Sequence, residues 1–206
     1  MTRKNLVGAA LAVLTTGLVL AGCSNSDTGG HDMGSTSATP TTTSAASAPS
    51  DDHNDADISF AQEMIPHHAG AIDMAKLAQG RTTNTTVLDL AGRIEKAQDP
   101  EIKTMTEWLK AWGAEPLPST VHEGHMSSMP GMMSAEEMDK LKAAKDADFD
   151  RLFLEGMVKH HQGAIDMATT ELQQGGNTDA KELAQKISDD QQAEITEMQG
   201  LRHGGH

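Results

Sequence analysis

The 206-residue chain carries a formal charge of −14, one Cys, no Tyr, three Phe and two Trp. So few aromatics exclude a β-sandwich or barrel core, which draws on aromatic and β-branched side chains. A single Cys excludes an internal disulfide and any Cys-based zinc or iron–sulfur cage, and the acidic balance excludes nucleic acid as a partner. What remains in excess is soft sulfur and imidazole, as 13 Met and 10 His.

At the N-terminus Arg3 and Lys4 precede an uncharged apolar run from Leu6 to Leu20. A basic segment followed by an apolar stretch too short to span a bilayer comfortably is the pattern of a signal peptide. It runs into Leu20-Ala21-Gly22-Cys23, which resembles a bacterial lipobox. The resemblance implies cleavage before Cys23, lipidation of its sulfur and anchoring on the extracytoplasmic face of the cell membrane, through several acyl chains. Residues 1–22 are thus expected to be a signal peptide. Residues 23–56, rich in Ser, Thr, Ala and Pro, are expected to be a disordered tether, with His31, Met33 and His53 solvated in it.

The rest of the chain is a repeat. Phe60, Met64, His67, His68, Ala71, Asp73 and Met74 recur as Phe153, Met157, His160, His161, Ala164, Asp166 and Met167, at a constant offset of 93 residues. The offset persists without a gap through Leu90/Leu183, Ile94/Ile187, Gln98/Gln191, Glu101/Glu194 and Met105/Met198. In each segment apolar residues step by three and four, the spacing of one helix face. Gly80 with Thr82-Thr83-Asn84 breaks the first pair of helices, and Gly175-Gly176-Asn177 the second. Neither hairpin buries its seam alone, so the reading is all-α: an antiparallel four-helix bundle with pseudo-twofold symmetry, built from repeat halves 57–112 and 145–203. Pro66 is expected to bend the first helix, and Asp99-Pro100 to cap and restart the second. Ser134-Ala-Glu-Glu137 reads as a capping box that opens a further helix.

The paired Met-x-x-His-His-x-x-Ala-Ile-x-Met-Ala segments, each followed by Gln-x-x-Glu-Ile-x-x-Met, resemble the DUF305 family of exported bacterial proteins. The resemblance spans roughly residues 57 to 203 and takes in the Met-Pro-Gly-Met-Met connector. It implies a ferritin-like four-helix fold and, for some members, copper binding and copper tolerance.

Two clusters carry the chemistry. On the seam, His67 and His160 are expected to face each other, with His68 and His161 about 100° away and Met64, Met74, Met157 and Met167 on the same faces. Imidazole with thioether suits copper, Cu(I) above all. The competing reading is a satisfied polar core, in which Gln98, Glu101, Gln191 and Glu194 hydrogen-bond the His residues. The connector 113–140 is the second cluster, with His122, His125, Met126, Met129, Met132 and Met133 close together beside Gly and Pro. Met in a polar loop has no core to fill, which favours metal capture over a hydrophobic cap. His203 and His206 form a third, weaker cluster, read as a frayed tail.

No Glu-x-x-His motif, phosphate loop or nucleophile elbow is present, so di-iron chemistry is not expected. No catalytic residue is assigned. The expectation is a membrane-anchored copper-binding protein of the cell envelope that sequesters copper or hands it to a copper-handling partner. Two alternatives stay open: a metal-free envelope interaction module, and a copper- or iron-dependent oxidoreductase.

Overall fold

Asn54 opens the first helix. Its side-chain oxygen accepts the backbone N–H groups of Ala56 and Asp57, while the Asp57 carboxylate accepts the N–H of Asn54. In the computed structural model, which describes residues 52–117 and 129–204, five helices follow in chain order: α1 (Asp55–Leu77), α2 (Thr85–Ala111), α3 (Ala135–Ala143), α4 (Asp146–Gln174) and α5 (Thr178–Gly204). Among the described residues there is no strand. The signal segment, Cys23, the tether as far as residue 51, His122, His125, Met126 and His206 lie outside them, as does the side chain of His203.

The breaks fall where the turn residues stand. Asn84 caps α2 through its side-chain oxygen, and Asn177 does the same for α5 by accepting the N–H of Ala180. Ser134 and Glu137 form the expected capping box of α3. The prolines behave differently from the reading at position 100. α2 runs unbroken from Thr85 to Ala111 with Pro100 inside it, and the Asp99 carboxylate pairs with Lys103 and caps nothing. Burial of Ile94, Gln98, Glu101 and Met105 on both sides of Pro100 holds the helix through the lost hydrogen bond. The tether also ends sooner than expected. His53 stacks on Trp112 with ring centroids 4.9 Å apart, and Asn177 holds the Asp52 carbonyl at 2.8 Å.

Packing gives two apolar clusters. One gathers Ala71, Met74, Leu90, Ile94, Leu141, Phe149, Phe153, Met157 and Met198; the other gathers Phe60, Met64, Met105, Trp108, Ala164, Met167, Ala184 and Ile187. Along every long helix the switch between clusters comes at the same level. On α1 it comes between Met64 and Ala71, on α2 between Ile94 and Met105, on α4 between Met157 and Ala164, and on α5 between Ile187 and Ile195. The order of the clusters reverses from α1 to α2, from α1 to α4 and from α4 to α5, so these neighbours are antiparallel. The residues left at the switch are His67, His68, Gln98, Glu101, His160, His161, Gln191 and Glu194. The bundle therefore has a polar waist between two apolar ends.

Candidate metal centre

The adjacent His residues divide their work. His68 donates Nε2–H to the Glu101 carboxylate of α2 at 2.9 Å, and His161 donates to Glu194 of α5 at 2.6 Å. Lys186 completes the first pair by binding the other Glu101 oxygen at 2.9 Å and Asp190 at 2.8 Å. Burial alone would raise the Glu101 pKa, but the hydrogen bonds from His68 and Lys186 outweigh it and hold the carboxyl ionised. The Glu partners thus belong to His68 and His161, one step along from the seam.

His67 and His160 meet across the α1–α4 interface with ring centroids 3.8 Å apart and an interplanar angle of 42°. Both are buried, at 0% and 1% exposure. Burial, reinforced by the neighbouring imidazoles, drives the His67 pKa down to about 3 and that of His160 well below its ordinary value. Both rings are therefore neutral donors of a lone pair. His67 uses its Nε2 on the carbonyl of Pro130, 3.1 Å away. His160 has no well-formed hydrogen bond: Nδ1 and Nε2 are both buried without a partner of good geometry among the described residues, and the His67 backbone opposes the fall of its pKa only weakly. A buried polar atom left unpaired costs about 1–3 kcal/mol. Two on one ring call for an explanation.

The explanation lies in what sits beside it. The chain from Met129 to Met133 lies in the groove between α1 and α4, seated by glycine. Pro130 O passes 2.0 Å from where a Cβ on Gly163 would stand, and Gly131, at φ +77°, passes 2.3 Å from the Lys159 carbonyl on the same measure. This seating delivers two thioethers. Met132 Sδ and His160 Nε2 each lie 3.5 Å from the Cβ position of Gly70. One helical turn away, Met133 Sδ and the Met74 methyl each lie 3.1 Å from the Cβ position of Gly156. An opening of about 70 Å³ beside Met132 and Met133 leads out past Glu137, Lys140, Glu155 and Lys159.

His160 and Met132 meet at Gly70, and Met133 and Met74 meet one turn away at Gly156. His67 lies against His160, tied to the Pro130 carbonyl. Met64, Met157 and Met167 are core packing at 0%, 0% and 8% exposure, and Met129, expected in an exposed loop, is 7% exposed. Gln98 and Gln191 are buried in the waist, Gln98 with both side-chain polar atoms unpaired and Gln191 with its carbonyl oxygen unpaired. The residues the sequence reading missed are the glycines. Gly70 and Gly163 occupy the same register of the repeat, and a helix-interior glycine is unfavourable by roughly 0.5–1 kcal/mol relative to Ala. Its recurrence was a readable sign of close backbone approach.

Among the described residues no three His, Cys, Asp or Glu side chains converge as a metal-binding group. The donors that come close to one another between α1 and α4 are imidazole and thioether, a pairing that suits soft ions such as Cu(I) better than calcium or magnesium.

Residues 57–202 match the family model described as domain of unknown function DUF305. No curated protein matches the chain. Among solved structures, a DUF305 fragment from Deinococcus radiodurans is 32% identical over 72% of this chain and 95% of its own, with a TM-score of 0.66. A DUF305 protein of Streptomyces coelicolor, described as secreted, is 31% identical over 71% and 91%, with a TM-score of 0.65. CopM in its Cu(II)-bound form is 33% identical over 73% and 97%, with a TM-score of 0.63, and CopM has also been solved with Cu(I) and with silver.

Proposed function

Because this chain belongs to the DUF305 family, whose name assigns no activity, we propose its function from its own site: it binds a soft monovalent copper ion between α1 and α4. The ligands are His160 Nε2 and the Met132 thioether, with Met133 and Met74 one turn away. The observation that carries this reading is the buried His160 ring, neither nitrogen of which has a well-formed hydrogen bond, with Nε2 and Met132 Sδ each 3.5 Å from the Cβ position of Gly70. The copper- and silver-bound forms of CopM support the choice of ion. The His68–Glu101 and His161–Glu194 pairs serve as the polar frame that orients the waist.

The setting we propose is the cell envelope, with Cys23 lipidated and the tether carrying the bundle away from the membrane. There it sequesters copper or passes it to a copper-handling protein, with His122, His125 and Met126 of the connector collecting the ion first. The description of the Streptomyces relative as secreted agrees with export. Among the described residues no helix is long and apolar enough to cross a membrane.

The test is anaerobic competition of the protein against a Cu(I) chelator. Binding that withstands the chelator and weakens by about ten-fold or more on replacing Met132 and Met133 by Leu, a nearly volume-conserving change, supports the proposal. No competition with the chelator overturns it and leaves the metal-free interaction module as the working function.

A further inference from the structure

We propose that Met132 and Met133 are oxidation sites that gate this centre: a hydroperoxide converts their thioethers to sulfoxides and the protein then releases its soft ion. The inference rests on the copper reading above for its consequence, but the selectivity of the oxidation rests on burial alone. Met64, Met74, Met105, Met157 and Met198 are at most 1% exposed, and Met129 and Met167 are 7% and 8% exposed. Met132, Met133 and Met138 are the half-buried methionines among the described residues. Of these three, Met132 and Met133 line the opening of about 70 Å³ to solvent, a volume sufficient for a molecule the size of hydrogen peroxide.

The chemistry balances without help from the protein. The sulfur lone pair attacks one peroxide oxygen, an S–O bond forms and the O–O bond breaks. Sulfur loses two electrons, and the departing hydroxide takes up the remaining peroxide proton to leave as water. The product is polar and chiral where the reactant was apolar. It also exchanges a soft sulfur donor for a hard oxygen, which suits Cu(I) and silver poorly. Space adds to the effect, because Met133 Sδ already stands 3.1 Å from the Cβ position of Gly156 and Met132 packs against Gly70.

The coupling runs both ways, as linkage requires. A sulfur lone pair given to a metal is withheld from a peroxide, so the loaded protein resists oxidation at these two residues. Met138 on α3, half-buried and packed against the first apolar cluster, takes no part in the site and serves as an internal control.

The experiment exposes the full chain to hydrogen peroxide with and without saturating Ag(I), which does not cycle between oxidation states here, and maps sulfoxides by peptide mass against time. Without silver, Met132 and Met133 are expected to oxidise about ten-fold or more faster than Met64, Met74 and Met157. Silver is expected to slow those two and leave Met138 unchanged. The oxidised protein, its helicity checked by circular dichroism, is expected to bind silver about ten-fold or more weakly. Equal oxidation of buried and half-buried methionines, or unchanged silver affinity after oxidation of Met132 and Met133, overturns the inference. Failure of the copper reading is distinguishable, because the unoxidised protein would then not bind silver at all.

Discussion

His160 Nε2 and Met132 Sδ both approach Gly70, each 3.5 Å from the point a Cβ there would occupy. One residue comes from the helix of the second repeat and the other from the connector, and both converge on a glycine of the first. The centre is therefore assembled from three parts of the chain, and its geometry depends on how deeply the connector sits in the α1–α4 groove.

Glycine substitutions separate that seating from ordinary helix propensity. Gly163→Ala puts a methyl 2.0 Å from the Pro130 carbonyl, a backbone atom that cannot swing aside. It should destabilise the fold by about 1–3 kcal/mol, the range for overpacking, and unseat the connector. Gly92→Ala, on the exposed side of α2 with nothing within 4 Å, should instead stabilise by roughly 0.5–1 kcal/mol. Gly70→Ala meets the flexible Met132 methyl at 2.9 Å, so Cu(I) affinity should fall with little change in stability. Chemical denaturation and chelator competition read these outcomes.

A second pair of residues sets a pH dependence. Asp57 is 0% exposed and accepts backbone N–H groups from Asn54 at 2.6 Å, Asn177 at 2.9 Å and Gly176 at 3.1 Å. It lies at the start of both α1 and α5, where the helix dipoles favour an anion. Glu171 is 1% exposed in the last turn of α4, where an anion is disfavoured, and its carboxyl, when protonated, can donate to the Asp57 carboxylate. Burial and the Asp57 carboxylate push its pKa up to about 8, with Lys181 opposing weakly. The folded state thus holds a proton that the unfolded chain releases near pH 4.5. The stability contribution is complete below that pH, falls as pH rises to about 8 and is flat beyond. The slope is at most about 1.4 kcal/mol per pH unit. Glu171→Gln should abolish this component and leave the variant more stable than wild type at pH 8. Thermal unfolding from pH 5 to 9 checks it: parallel curves for the two proteins would refute the assignment.

Pro100 gives a third prediction. The matching residue of the second repeat is Ala193, and α2 continues through Pro100 despite the missing N–H. Pro100→Ala should stabilise by about 1–3 kcal/mol, since proline inside a helix costs about 3 kcal/mol relative to Ala. An unchanged or lowered melting temperature would mean that the helix has relaxed around the proline.

The long helices were legible because their signal is local. Period 3.6 and the offset of 93 residues place Phe60, Met64, Leu90, Ile94, Phe153 and Ile187 in the core without any tertiary information, and all are buried. The partners of the His dyads were not legible. Neighbouring residues differ by about 100° around a helix, and which of the two faces α2 or α5 depends on how the hairpins are rotated. Hence the seam carboxylates, open between ligand and polar-core readings in the sequence, proved to bind His68 and His161 and not His67 or His160. The connector is rich in His and Met, as the sequence shows, but its docking could not be foreseen from residue counts. It depends on Gly70, Gly156 and Gly163, whose meaning appears only when α1 and α4 are placed side by side. Glu171 carried no signal at all, because the matching residue of the first repeat is Ala78.

X-ray absorption at the copper edge of the Cu(I)-loaded protein, comparing wild type with the Met132→Leu, Met133→Leu variant, reads the ligand set itself. Sulfur and imidazole nitrogen scatterers are expected together in the wild type, with the sulfur contribution reduced or lost in the variant. A spectrum of nitrogen and oxygen scatterers alone, or one that the substitutions leave unchanged, would contradict ligation by Met132 and Met133.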